Sequence, residues 1–81
     1  MISEAEKTRL QVGYKQAVRA LGEGRVQKVF LSDDCEKKIS APIEELASQK
    51  GVQVFFVPTM KELGAMCKID VGASCAVILK D

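Results

Sequence analysis

The sequence predicts an α/β fold, with one central sheet sandwiched between helices. Three observations carry it. Helix-like and strand-like segments alternate along the chain, the strand segments are apolar almost throughout, and caps and stop residues mark the helix ends. The right-handed crossover rule then limits the topologies. With 81 residues there is room for one domain, spanning 1–81. A chain this short buries only about 60% of its unfolded surface, so its core must be continuous. Hydrophobic residues make up 47% of the chain and charged residues 28%, which supplies such a core and argues against disorder.

The elements follow in order. Ser3 and Glu6 have the spacing of a capping box, which predicts a short first helix through about Arg9. Leu10, Gln11 and Val12 then form a candidate edge strand before Gly13. Tyr14, Ala17, Val18 and Leu21 recur at i, i+3, i+4 and i+7, one apolar helical stripe, and Gly22 and Gly24 are its stop signals. Val26 with Val29, Phe30 and Leu31 reads as a strand, ended by the polar turn Ser32-Asp33-Asp34. A third helix is expected from near Ser40, with Pro42 in its first turn and Gly51 at its end. Residues 52–57 are nearly all apolar, as in a strand covered on both faces, and Pro58 stops them. Thr59 and Glu62 predict a second capping box and a helix over about 60–67. Residues 68–72 read as a loop and 73–79 as the last strand.

Charge and cysteine usage exclude several classes. Twelve basic and eleven acidic residues give a net charge of +1, too balanced for holding nucleic acid by bulk charge. The distribution is uneven, however. Residues 1–28 carry six basic side chains (Lys7, Arg9, Lys15, Arg19, Arg25 and Lys28) against three acidic ones, so a polyanion is expected to meet this part. Three cysteines, Cys35, Cys67 and Cys75, have no CxxC spacing and no histidine beside them, so free structural thiols are expected rather than zinc or disulfides. No apolar run approaches the roughly 20 residues of a membrane span. A cytoplasmic protein without cofactor or metal is expected. No nucleophile–base pair is visible, so an enzyme is not expected.

Two segments stand out as binding candidates. Gly13-Tyr14-Lys15-Gln16 with Arg19 opens a helix, where free amides and the positive dipole end suit phosphate. The same residues also fit an ordinary solvated helix face. Ile69-Asp70-Val71-Gly72, after Lys68, places two apolar residues in a polar loop. They can pack beneath the loop or offer an apolar surface to an unstacked base. Asp33 and Asp34 follow a strand, where Mg²⁺, a turn or a helix cap would each use them.

Several blocks together resemble the ribosomal protein L7Ae/L30e family, most of all its short bacterial members. They are 13–21 (GYKQAVRAL), 26–34 (VQKVFLSDD), Gly51-Val52, Lys61-Glu62-Leu63-Gly64 and Ile69-Asp70-Val71-Gly72-Ala73. The resemblance covers nearly the whole chain. It implies a three-layer α/β/α sandwich with a four-stranded mixed sheet. It also implies binding to the kink-turn, a bent RNA helix with tandem sheared G·A pairs beside a bulge, in ribosomal or riboswitch RNA, by a monomer. Gly13, Tyr14, Lys15, Gln16, Arg19 and Lys28, with Ile69, Asp70, Val71 and Gly72, are the implied RNA-facing residues. Lys15 and Gln16 stand where other members carry asparagine and glutamate. Lys15 lacks the asparagine acceptor and Gln16 the carboxylate, which implies altered base discrimination. A protein-interaction scaffold of the same fold is the alternative, and a small-molecule or response-regulator-like domain using Asp33 and Asp34 a further one.

Overall fold

The computed structural model describes residues 2–81. In chain order the elements are α1 (Glu4–Lys7), β1 (Leu10–Val12), α2 (Tyr14–Gly22), β2 (Val26–Ser32), α3 (Lys37–Gln49), β3 (Gln53–Val57), α4 (Met60–Met66) and β4 (Cys75–Leu79). The strands form one sheet in the order β1-β4-β2-β3. β2 and β3 run parallel, and β4 is antiparallel to both β2 and β1. The sheet is therefore mixed, and β1 is the short edge strand that residues 10–12 suggested.

Each face of the sheet has its own core. On one side Ala17, Leu21, Ile43 and Ala47 of α2 and α3 pack against Val26, Val29, Leu31, Cys75 and Val77. On the other, Leu63 and Cys67 of the α4 region pack on Phe30, Val57, Ala76 and Ile78, with Ile2 at the margin. A register shift between Val26 and Lys28 lets Val26 face the same core as Val29 and Leu31, although strict alternation would turn it away.

The structure moves three expected boundaries and uncovers one strand. α1 ends at Lys7 rather than about Arg9, because the Arg9 carbonyl already accepts from Leu79 at the start of the sheet. α3 begins at Lys37, not near Ser40, so Pro42 lies inside the helix instead of in its first turn. The Pro42 ring removes one amide donor there, a loss that local pattern did not expose. β4 starts at Cys75, because the Ala73 amide turns to the Met60 carbonyl. Of residues 52–57, expected to be covered on both faces, Gln53–Val57 form an edge strand, β3. Phe55 and Phe56 are 38% and 51% exposed there, because β3 is an edge strand with a neighbouring strand on one side only. An apolar run records β propensity and not a strand's place in the sheet.

The helix caps follow the sequence closely. Ser3 and Glu6 form a complete capping box. Thr59 forms half of one: its hydroxyl accepts from the Glu62 amide, while the Glu62 side chain meets the hydroxyl and not the cap backbone. The three longer helices end alike, each with the two backbone bonds of a Schellman turn. The left-handed residue in that turn is Gly24 after α2 and Gly51 after α3, but Lys68, at φ 59°, after α4. A side chain in that conformation costs roughly 1–2 kcal/mol.

α1 is tied down by charge. Lys28, on the α1 and α4 side of β2, pairs with the Glu6 carboxylate. That hydrogen bond, and then one from the Ser3 amide, hold the Glu6 pKa at about 2 against an ordinary 4.5. A carboxyl whose pKa is lower when folded stabilises the fold above its unfolded pKa, and the stabilisation fades as pH falls through the folded value. The melting temperature of Glu6→Gln should therefore vary less with pH between 4.5 and 2 than that of the parent. Parallel pH profiles for the two would show that the pair adds nothing.

Candidate nucleic-acid interface

The carboxyl ends of β1, β2 and β3 and the start of β4 meet at one end of the sheet. Gly13 turns the chain there from β1 into α2. Its backbone, at φ 114° and ψ 157°, is in a region favoured by glycine. Its amide donates to the Cys75 carbonyl at 3.0 Å, which fixes the helix start to β4. The first intrahelical bond runs from the Ala17 amide to the Gly13 carbonyl, so the amides of Tyr14, Lys15 and Gln16 have no partner within the helix. No acidic residue occupies the first turn. Lys15, Gln16 and Arg19 are exposed, and Tyr14 is half-buried against the α2 and α3 core. Among the described residues neither Lys15 nor Arg19 is in an ion pair. This end of α2 presents free donors and positive charge.

The loop 68–74 climbs back along α4 to the same end. The Ile69 amide donates to the Gly64 carbonyl, and the Ala73 amide to Met60. Ile69 is 37% exposed and Val71 70%, so Val71 is not core. Gly64 makes this close approach possible: a Cβ there would lie 2.1 Å from the Val71 carbonyl oxygen. Asp70 and Gly72 are exposed beside them. The loop ends at Ser74, whose carbonyl accepts from the Ser32 amide and hydroxyl at 3.0 and 3.3 Å. Ser74 and Cys75 thus anchor the loop, β2 and the start of α2 together.

Nine of the ten sequence candidates belong to these two segments, which one end of the sheet brings together. Lys28 is apart from them, paired with Glu6 on the face opposite α2. Sequence reasoning missed one residue that shapes this end. Gly64 was visible only as a glycine inside a capped helix, where it costs about 1 kcal/mol relative to alanine. Asp34, read in the sequence as a metal, turn or helix-cap residue, accepts from the Met60 amide at 2.8 Å and so caps α4, three elements further along the chain. Cys67 and Cys75 are buried free thiols, and burial raises both pKa values. Among the described residues, no three His, Cys, Asp or Glu side chains gather as metal ligands, and no helix is long and apolar enough to cross a membrane.

Residues 2–81 match the model of the Ribosomal protein L7Ae/L30e/S12e/Gadd45 family. The chain belongs to this family. It is 42% identical over 65 residues to an RNA-binding protein of Caldanaerobacter subterraneus, covering 80% of this chain and 79% of that one. To an RNA-binding protein of Bacillus pumilus it is 35% identical over 78 residues, 96% of this chain and 93% of the relative. A large ribosomal subunit protein of Halobacterium salinarum is 32% identical over 83% of this chain and 57% of its own length. Among solved structures, the Giardia lamblia 15.5kD RNA binding protein superposes with a TM-score of 0.78 at 22% identity, covering 91% of this chain and 62% of that one. A protein from Bacillus halodurans gives a TM-score of 0.83 at 21% identity, covering 94% and 76%. These likenesses establish the three-layer α/β/α fold of the family.

Proposed function

We propose that this family member is an RNA-binding protein that recognises kink-turn-like structured RNA as a monomer, within a ribosomal or other ribonucleoprotein particle. The observation that carries the reading is the common anchorage of two unlike surfaces. The open, cationic start of α2 and the exposed apolar loop 69–72 are both tied to Ser74 and Cys75. One surface suits phosphates and base edges, the other an unstacked base, and a helix with a bulge offers both side by side. Base and shape readout also fits a net charge of only +1. Lys15 and Gln16 would donate to bases of the G·A stem, Arg19 would hold a phosphate, and Ile69 and Val71 would cover the bulge. Nothing in this arrangement requires a chemical step.

The experiment compares the affinity for a kink-turn with that for a straight duplex, in the parent and in Gln16→Ala, Arg19→Ala and Val71→Ala. Loss of a bidentate base contact in Gln16→Ala should cost about 1–3 kcal/mol, by analogy with groove readout. Val71→Ala should cost about 1 kcal/mol from buried area alone. With about three or four phosphate contacts, log K against log salt should slope at roughly −2 to −4. All three side chains are exposed or nearly so, and melting temperatures should hold. Equal affinity for kink-turn and duplex would remove the proposal, and a slope near −8 would replace shape readout with bulk charge.

A further inference from the structure

The two edges of the sheet are unlike. β1 is three residues long, whereas β3 runs for five and pairs with β2 on one side only. The Asp33 amide donates to the Val57 carbonyl at 2.8 Å, so Val57 turns its main-chain groups toward β2. These groups alternate in direction along a strand. Gln53 and Phe55 therefore also face β2, and Val54 and Phe56 point their amides and carbonyls outward. Pro58 is next in the outward series and has no amide, so the open run ends at Phe56. Sheet edges are ordinarily blunted by charge, by shortness or by a bulge. The β1 edge is short, but residues 51–60 carry no charge, and β3 keeps an unbroken register with β2. Phe55 rests on Phe30, with ring centroids 5.7 Å apart, yet stays partly exposed at the edge. Phe56, opposite Leu31, is exposed on the α2 and α3 side of the same strand.

We infer that β3 pairs with β3 of a second copy of this chain, antiparallel about a two-fold axis at Phe55, so that two sheets join into one. The outward groups select both the partner and the register. In an antiparallel pair, opposed residues that exchange two hydrogen bonds alternate with opposed residues that exchange none. With the axis at Phe55, Val54 of each copy stands opposite Phe56 of the other, and every outward donor meets an outward acceptor. The two Phe55 residues form the non-bonded pair between them, where Cα atoms approach to about 4.5 Å and side chains meet most closely. The edge is thus complementary to itself, as a two-fold interface requires. Its size sets the strength. At 38% and 51% exposure the two rings offer on the order of 150–200 Å² per chain. A standard interface buries about 800 Å² per partner, so the dimer is a weak one, with a Kd between about 1 μM and 1 mM. Val54, Phe55 and Phe56 are not among the residues of the proposed RNA surface, and each protomer still reads its RNA alone.

The test follows amide exchange by NMR and mass by sedimentation equilibrium, in the parent chain without RNA, from about 20 μM to about 2 mM. The Val54 and Phe56 amides should exchange several-fold more slowly as the dimer forms. The Phe55 and Val57 amides, already turned to β2, should not change. Phe55→Lys sets like charges opposite each other and should weaken the dimer about five- to tenfold. An equal mixture of Phe55→Lys and Phe55→Glu should associate more tightly than either variant alone. Melting curves check that both are folded, and the exchange measurement on the parent does not depend on them. A monomer at every concentration overturns the inference. So does a dimer in which the Val54 and Phe56 amides exchange as fast as in the monomer, since its interface would lie elsewhere. Folded Phe55→Lys that associates like the parent overturns it too. If kink-turn RNA slows these two amides in the monomer while concentration does not, the edge belongs to RNA and not to a second copy. None of the results without RNA depends on kink-turn preference, so this inference and the RNA reading fail separately.

Discussion

Adding one methyl group at Gly64 should lower the melting temperature by roughly 10–20 °C and detach the loop 68–72 from α4. By helix propensity alone, Gly64→Ala would stabilise α4 by about 1 kcal/mol. Contact reverses the sign. The new Cβ would meet the Val71 carbonyl oxygen at 2.1 Å and the Gly72 Cα at 3.1 Å, and both are backbone atoms that no rotamer change can move aside. Overpacking of this kind typically costs about 1–3 kcal/mol, and each kcal/mol shifts the melting temperature of a domain this size by roughly 4–8 °C. The loop cannot yield freely, because the Ile69 and Ala73 amides are bound to Gly64 and Met60. Amide exchange in residues 68–74 should accelerate in the variant. Kink-turn affinity of the folded fraction should fall as well, since Val71 loses its position. An unchanged melting temperature with unchanged exchange would mean that the loop does not sit on Gly64.

Gly13→Ala should lower both RNA affinity and stability, without any steric clash. No atom lies within 4 Å of the Cβ position, so contact is not the obstacle. The obstacle is the backbone, whose φ of 114° is costly for any residue with a Cβ. Residues held in such regions cost about 1–3 kcal/mol, or the chain rotates to escape. Rotation here turns the free amides of Tyr14, Lys15 and Gln16 away from their common direction. Loss of one bidentate contact by misalignment corresponds to about a tenfold loss of kink-turn affinity. Calorimetry and gel-shift on the same preparation separate the two effects. Full affinity in a folded Gly13→Ala protein would show that the geometry of the α2 start does not matter for RNA.

Much of both the fold and the candidate interface was legible before any coordinates. Ser3, Thr59 and the stripe Tyr14, Ala17, Val18 and Leu21 mark helices because caps and apolar faces are local properties, read within a few residues. Gly13 and the apolar pair Ile69 and Val71 stood out for the same reason: each breaks the pattern around it. Lys28 shows the opposite case. It looked like one more cation of a basic N-terminal segment, yet strand alternation puts it on the α1 and α4 face, where Glu6 takes it. Counting charge along a chain does not assign charges to faces.

The sequence by itself determined the class of fold, the order of its elements, its helix caps and the two segments that compose the proposed RNA surface. Tertiary structure alone decided which strand lies outside, leaving Phe55 and Phe56 partly bare. It also decided which helix Asp34 caps, and that Gly64 makes room for the Val71 carbonyl. The division has a physical cause. Caps, turns and periodic stripes involve neighbours within about one helical turn. Strand order, distant caps and close backbone approach join residues far apart in sequence, which only the folded chain brings within reach.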